Sequence, residues 1–446
     1  MWYIIAFAAL LFVSILDGHL SSMVVMFIAL VLGGMSIGLK KDKQERIQGN
    51  KVFGAIFAIY TLSSFIASRS FLNGQAFYVA DSIKYITDYG DVNSWSWDLF
   101  FSTLSETYIG FADNNGLYNE GLSLWAYIGN HYLDGTTVFY LTFLQTLFGI
   151  LASLEIYKIF LIYFGPRKAA KYTIIFAVLS LYHIYSIVII RDIVLSYFYL
   201  LGLRRILSKP KVSDIFILLL VMLVTMGIRL YTGLFFGTFI MYWLYKLIQD
   251  TKYAHLKIII VPLAFFGVAF LGATLAVSVI MEGAEGELEH YDELYAASSG
   301  LAGKLRTLPV GIRHIAILLF SQLPLDDLSR FSIANSFSNY YMSILVIVYS
   351  IFGFVIFYGL MYLCFFKGYF KIMSSDNKWV LIIMLLFIAI TLSTHIDVRR
   401  SMEAIPFIYL FYILYYERIN AKVWFSVNKF LIAFGFVIMF AYAFVR

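Results

Sequence analysis

The densest group of chemically capable side chains lies in one stretch, STHIDVRRSMEAIP at 393–406. Five of its residues fall within nine positions: His395, Asp397, Arg399, Arg400 and Glu403. A histidine titrates near neutral pH, and a carboxylate with a raised pKa can do the same work, so either can take a proton from a sugar hydroxyl. Arginines can hold a leaving diphosphate. The stretch therefore predicts acid–base chemistry beside a bound anion, and a solvated interfacial loop is the simpler alternative.

Two further arginines stand where apolar segments meet. Arg191 and Asp192 separate two such segments with almost no loop. Asp192 is suited to capping the next helix, but an arginine at the positive end of a helix dipole needs another reason, either snorkelling to headgroups or an anionic ligand. Arg229, two residues before Tyr231, divides a long apolar run. A charged residue at membrane depth is energetically costly, so Arg229 is predicted to have a function. The alternative is a hairpin turn whose arginine side chain extends to the headgroups.

The arginines as a class fall on the unexpected side of a membrane protein. Lysine and arginine normally gather in cytoplasmic loops, and 17 of the 19 lysines do so on the topology given below. Nine of the 14 arginines lie on the opposite side: Arg69, Arg191, Arg229, Arg306, Arg313, Arg330, Arg399, Arg400 and Arg446. Arginine grips phosphate through a planar fork that lysine lacks. The pattern predicts an outer-face site for a phosphate-bearing ligand.

The elements that must position these residues are apolar helices. The chain has 446 residues, 61% hydrophobic and 13% charged, whereas a soluble domain is about a quarter charged. Recurring apolar runs predict an all-α polytopic membrane protein of about 12–14 transmembrane helices, forming a single integral membrane domain over 1–446. The predicted spans are 2–16, 20–38, 52–67, 136–164, 172–190, 193–207, 214–230, 232–248, 258–281, 341–365, 379–393, 403–417 and 430–445.

Charge fixes the predicted orientation. The basic loop KKDKQER at 40–46 marks the cytoplasmic side, and the segment 2–16 is expected to be a retained span because no basic region precedes it. The cytoplasmic segments then carry a net charge of +15 and the external segments −9, within a total of +6. A basic inner face suits anionic lipid headgroups and needs no nucleic acid. The lone Cys364 excludes an intramolecular disulfide.

Two external segments are long. Residues 68–135 are acidic and aromatic, and their aromatic rings are expected to form an interfacial belt or to stack on sugars. Residues 282–340 carry Arg313 and His314, and 312–323 is too short to span, so it is expected to be re-entrant or interfacial. No Asp-x-Asp pair, P-loop or third ligand beside His395 and Asp397 is evident, so neither metal nor cofactor is predicted.

A family resemblance follows from the order of these motifs. The chain has Asp-Ser-x-x-Tyr at Asp81 to Tyr85, Arg-Asp at 191–192, Arg-x-Tyr at 229–231 and His-x-Asp-x-Arg-Arg…Pro at 395–406. Over about 70–420 this resembles the bacterial O-antigen and capsular repeat-unit polymerases of the Wzy type, distant relatives of the O-antigen ligases. Many relatives have Lys-Asp in place of Arg-Asp, and Arg-Pro-Tyr in place of Arg-Leu-Tyr.

The resemblance implies a metal-independent enzyme of the bacterial inner membrane with a periplasmic active face. Its substrates would be glycan repeats on undecaprenyl diphosphate, as donor and acceptor, with membrane lipid and a chain-length regulator as further partners. By motif match, Arg191, Arg229 and Arg399 would face the diphosphate, with Arg400 beside them. His395 is the preferred base, ahead of Glu403 and His314. A lipid-linked oligosaccharide flippase, an O-antigen ligase and a polyprenyl-phosphate-sugar glycosyltransferase are the alternatives.

Overall fold

The computed structural model describes residues 2–38, 42–72, 85–86, 95–106, 116–249, 336–394 and 402–445. Within these ranges the longer regular elements are all helices, and we number sixteen of them. The first eight are α1 (Trp2–Asp17), α2 (Leu20–Gly38), α3 (Lys43–Leu72), α4 (Trp97–Ser105), α5 (Gly116–Tyr132), α6 (Val138–Tyr163), α7 (Pro166–Leu179) and α8 (Leu181–Tyr185). The others are α9 (Asp192–Leu207), α10 (Asp214–Ile228), α11 (Leu230–Gln249), α12 (Phe337–Phe366), α13 (Tyr369–Ile372), α14 (Ser375–Thr394), α15 (Ile405–Tyr416) and α16 (Ala421–Val445).

Five of these helices are long and apolar enough to cross a membrane: α2, α3, α6, α12 and α16. Helices α1, α10 and α15 are apolar but shorter. The all-helical prediction is thus confirmed for the described part of the chain, and most predicted spans coincide with a helix. The predicted span at 258–281 and the predicted re-entrant segment at 312–323 lie outside the described residues.

The chain divides into two compact units. The first, unit 1, comprises Met1–Val178, Tyr182–Ile280 and Asn335–Met342, and the second, unit 2, comprises the remainder. Compact units of this kind can belong to one membrane domain, so the single domain over 1–446 stays a prediction.

Helix α6 is the centre of unit 1. It packs against α2, α3, α5 and α9, and most of its length is buried. An α-helix that is apolar on all sides is stable only when surrounded by other apolar elements or lipid, and the sequence of α6 has this composition. Near its last turns Glu155, 5% exposed, pairs with Lys158 at 2.7 Å and with Arg204 of α9 at 2.5 Å. We call this end of unit 1 the basic end.

The opposite end of unit 1 gathers acidic and hydroxyl groups. The Asp134 carboxylate accepts backbone N–H bonds from Leu20 and Ser21, at 2.6 and 2.8 Å, and so caps α2. Asp17 accepts hydrogen bonds from Ser22 and Thr137. Carboxylates at helix amino termini satisfy N–H groups that the helix itself leaves unpaired. These contacts bring together the end of α1 and the starts of α2 and α6.

One predicted span is wrong as a continuous helix. Residues 172–190 were expected to form a single helix, but α7 ends at Leu179, the short α8 stops at Tyr185, and the backbone is irregular from Ser186 to Arg191. Hydrogen bonds from side chains distant in the chain hold the backbone in and next to the irregular stretch. The Ser186 carbonyl accepts a hydrogen bond from Thr146 at 2.8 Å, and the Ala177 carbonyl accepts one from Tyr60 at 2.8 Å. Irregular backbone in an apolar surrounding requires such partners.

Unit 2 is built largely from α14, α15, α16 and the greater part of α12. Aromatic contacts between α12 and α16, such as Tyr358 with Phe434 at 4.8 Å, pack these two helices together. Helix α15 is buried along most of its length. Gly359 lies against the ring of Tyr412, so a side chain at this position would collide with α15.

Candidate functional site: an arginine–aspartate cluster at two helix boundaries

The break between α10 and α11 positions Arg229. The N–H of Arg229 donates to the Thr225 carbonyl at 2.8 Å and closes α10, and its own carbonyl accepts the first hydrogen bonds of α11 at 3.1 Å. Its backbone is extended, with φ −158° and ψ 104°. One turn later Gly233 faces the backbone of Met226, where any Cβ would collide. The glycine therefore allows the two helices to approach closely, and the arginine occupies their junction.

The Arg229 guanidinium pairs with the carboxylate of Asp192. The two groups are 2.5 Å apart, and each side chain is only 2% exposed. Asp192 is the first residue of α9, so its negative charge also interacts favourably with the amino-terminal dipole of that helix. A charge-assisted hydrogen bond compensates for much of the cost of burying both ions. The sequence suggested that Asp192 caps α9, but the structure places Arg191 at the N-cap position, without a capping side-chain hydrogen bond, and Asp192 forms the ion pair with Arg229 instead.

Arg191 lies beside this pair and is half-buried. Its Nη1 donates to the Ile228 carbonyl at 3.4 Å, in the last turn of α10. The carboxyl end of a helix carries partial negative charge. Arg191 therefore sits at the unfavourable end of α9 and at the favourable end of α10. The second contact supplies a physical reason for the arginine that sequence alone does not give.

Two tyrosines and a glutamine border the cluster. Tyr118 of α5 lies within electrostatic range of Asp192 and Arg191, and burial raises the pKa of its hydroxyl well above the ordinary value. The hydroxyl is hydrogen-bonded to the side-chain amide of Gln145 at 2.6 Å. The ring of Tyr85 packs edge-on against Tyr118, with 5.1 Å between centroids. Tyr85 was a predicted site residue, whereas Gln145 was missed. The sequence signal that could have identified Gln145 is that it is the one side-chain amide within the apolar α6.

Glu403 lies in unit 2, in the turn that precedes α15, and its side chain is fully buried. The sequence placed this residue at the external start of the predicted span 403–417, where a solvated interfacial loop was the alternative, and its complete burial argues against a solvated side chain. Pro406 follows within the first turn of α15 and favours a helix start there. The role of Glu403 as a base stays a prediction.

Seven predicted site residues lie outside the described residues: Asp81, Arg313, His314, His395, Asp397, Arg399 and Arg400. The backbone of Tyr231 belongs to α11, but its side chain is also outside the description. The structure thus brings Arg191, Asp192 and Arg229 together. That Arg399 faces the same diphosphate stays a prediction.

A second polar cluster, not predicted from the sequence, fixes the broken helix in unit 1. The His183 ring lies 3.1 Å from the Val178 carbonyl through Nδ1 and 2.9 Å from the Ser63 hydroxyl through Nε2. The Ser63 hydroxyl is in turn 2.5 Å from the hydroxyl of Tyr341. Since a carbonyl only accepts, Nδ1 donates, and the neutral ring then accepts at Nε2. Tyr60 stacks on the histidine with 5.2 Å between centroids.

Among the described residues, no group of three or more histidine, cysteine, aspartate or glutamate side chains is placed to hold a metal ion. Comparisons with protein-family models, with curated proteins and with solved structures yielded no match to this chain. The residues and their chemistry therefore carry the functional argument.

Proposed function

We propose that this protein polymerises undecaprenyl-diphosphate-linked oligosaccharide repeats on the outer face of the bacterial inner membrane. The proposal rests chiefly on one observation: Arg191 and Arg229 meet around Asp192 although Asp192 and Arg229 are 37 positions apart. Together the three side chains have a formal charge of +1. Arg229 is 2% exposed and its guanidinium is held by Asp192, whereas Arg191 is half-buried and can be reached by a ligand, so Arg191 is the better candidate for the diphosphate.

The location of the cluster supports the outer face. Arg191 and Asp192 begin α9, whereas Arg204 and Arg205 end it at the basic end of unit 1. By the positive-inside rule the basic end is cytoplasmic, so the cluster belongs to the external half of the membrane. Five membrane-capable helices are consistent with this setting.

The proposed reaction is a glycosyl transfer. A hydroxyl oxygen of the acceptor repeat attacks C1 of the donor glycan, and a new glycosidic bond forms as the bond from C1 to the diphosphate oxygen breaks. The acceptor proton passes to a base, for which His395 is the first choice, with Glu403 and His314 as the other candidates. The diphosphate leaves with its electron pair and is stabilised by Arg191, with Arg399 and Arg400 as predicted partners. The existing sugar–diphosphate bond supplies the energy, so no nucleotide is consumed.

In this scheme Arg229 does not bind the diphosphate but holds Arg191 in position to bind it. Its contact with Asp192 fixes the boundary between α10 and α11, and that boundary provides the carbonyl to which Arg191 donates. Preorganised charge is more effective than mobile charge, because no reorganisation is needed as the transition state forms.

The test is the glycan profile of cells that lack this protein, complemented with wild type or variants. We expect single-repeat caps without the protein, and long chains with wild type. Arg191→Lys keeps the charge and removes the fork, so chain length should fall while protein abundance is retained. The matched control is Arg205→Lys at the basic end, where long chains should persist. Complete loss of glycan, with lipid-linked repeats trapped inside, would contradict a polymerase and identify a flippase.

A flippase has one specific observation in its favour. The break between α7 and α8, with its buried His183–Ser63–Tyr341 chain, resembles the discontinuous helices at which many transporters bind substrate. We rank it second because the arginine cluster lies at helix boundaries, and translocation predicts charged groups deeper along the spans. Transport of fluorescent lipid-linked oligosaccharide across vesicles that contain the purified protein distinguishes the two.

A further inference from the structure

Unit 2 contains an apolar cavity that the proposed polymerase reaction does not use. Its volume is about 560 Å³, within the range of about 300–1,000 Å³ typical of small-molecule sites. The carboxyl-terminal half of α12 forms one wall, with Phe357, Met361 and Cys364. Helix α14 contributes Leu381 and Leu385, and α15 contributes Ile408. The lining favours hydrocarbon over any polar ligand.

The mouth of the cavity is basic. Lys371 of α13 is exposed and belongs to the lining. Lys378 donates to the Lys371 carbonyl at 3.3 Å, and the Lys367 ammonium lies 5.6 Å from the ring centroid of Tyr362. Between positions 367 and 378 the only acidic residue is Asp376, against three lysines. Lysine serves as a point-charge ligand for phosphate.

The same rim presents aromatic side chains. Phe365 and Phe366 are 70% and 71% exposed at the end of α12, next to Lys367. Apolar rings beside lysines are typical of the boundary between hydrocarbon and headgroups. The predicted topology places these three lysines on the cytoplasmic side, where the leaflet carries anionic lipid. The apolar interior of the cavity thus suits a hydrocarbon chain, and its basic rim suits the anionic headgroup of the same lipid molecule.

We propose that this cavity binds one acyl chain of an anionic glycerophospholipid from the cytoplasmic leaflet, with its phosphate at Lys371 and with Lys367 and Lys378 nearby. The occupant is a membrane phospholipid and not the polyprenyl substrate, whose diphosphate is assigned to the outer face. The site is independent of the proposed reaction, and it joins α12, α14 and α15 through a shared ligand.

The chain carries its own probe for this site, because its one cysteine, Cys364, lines the cavity. The experiment uses full-length protein, purified in maltoside and stripped of lipid, and measures the rate of N-ethylmaleimide modification by intact mass. We expect added phosphatidylglycerol to slow the modification, and phosphatidylcholine at equal concentration to leave it nearly unchanged. Lys371→Gln should raise the phosphatidylglycerol concentration for half-protection by about fivefold, as expected for one lysine at an anionic lipid.

The control is Lys422→Gln, which removes an exposed lysine of α16 outside the cavity. It should leave half-protection unchanged. Lys371→Glu reverses the charge and should weaken protection further than Lys371→Gln. Equal protection by the two phospholipids, no protection by either, or equal effects of Lys371→Gln and Lys422→Gln would overturn the proposal. Protection by undecaprenyl phosphate alone would also overturn it and assign the cavity to an isoprenoid.

Discussion

The Asp192–Arg229 pair offers the most decisive test of the arginine cluster. Asp192→Asn keeps the size and shape of the side chain but removes its charge. Arg229, 2% exposed, would then remain as a buried cation whose ion pair is lost. Breaking a buried pair in this way costs about 3–5 kcal/mol. That corresponds to roughly 10²- to 10⁴-fold in the ratio of folded to unfolded protein.

The matched control is the same substitution at the other end of unit 1. Asp214 pairs with Arg205 at 3.4 Å, and the Arg205 side chain is 33% exposed. The Asp214 side chain is 5% exposed, but its partner arginine reaches solvent and is not left as a buried lone charge, so Asp214→Asn should cost clearly less than Asp192→Asn. Both aspartates lie in the first turn of a helix, α9 and α10, and the comparison therefore isolates burial of the partner arginine.

Unfolding by sodium dodecyl sulfate, followed by tryptophan fluorescence, measures both variants. Trp243 of α11 is 1% exposed, so its fluorescence reports on the loss of packing around that helix. The double variant Asp192→Asn/Arg229→Met should recover much of the stability, because both buried charges are gone. The reasoning is refuted if Asp192→Asn costs no more than Asp214→Asn, or if the double variant loses the sum of the two single losses.

Three further predictions concern other parts of the molecule. Burial alone would raise the pKa of Asp134, but the N–H donors of Ser21 and Leu20 lower it below the ordinary value of 3.8. The ionised carboxylate therefore contributes its full stabilisation above pH 3.8, and this contribution is lost as the pH falls through the lower pKa of the folded protein. Asp134→Asn should flatten a plot of Tm against pH below about 4. Gly149→Ala should cost about 1–3 kcal/mol because the new Cβ meets Ser186 beside the broken helix, whereas Gly121→Ala, with open space around it, should be neutral or stabilising in the same thermal assay. In a Cys364→Ser background, an impermeant maleimide added from outside should label cysteines near positions 90 and 295 but not one at 43, and the reverse pattern would invert the topology.

Much of the helical architecture follows from apolar periodicity and length alone. The sequence places α1, α2, α6 and α9 to within two residues at each end, because apolar runs bounded by charge leave little choice. The break in 172–190 does not follow, since no proline or glycine marks it. The hydrogen bonds that stabilise it come from Tyr60 and Thr146, which lie far away in the chain.

The candidate site is predictable in part. Arg191, Asp192 and Arg229 are conspicuous because charge at an apolar boundary is costly. Their pairing is not predictable, because Asp192, which is next to Arg191 in the chain, forms its ion pair with Arg229. The contact of Arg191 with the Ile228 carbonyl likewise depends on how α9 and α10 pack. Sequence spacing identifies which residues are unusual, and tertiary packing decides what each one touches.

The separation of Asp192 and Arg229 along the chain has a consequence for biogenesis. Asp192 emerges from the ribosome 37 residues before its partner, and a lone charge raises the cost of inserting a helix through the translocon. Helix α9 should therefore be retained beside the translocon until α10 and the start of α11 arrive, and the three should enter the lipid together. A nascent chain that ends before Arg229 should crosslink to the translocon longer than one that extends through α11, and Asp192→Leu should abolish the difference. We therefore expect the ion pair to influence the order of assembly as well as the geometry of the finished helices.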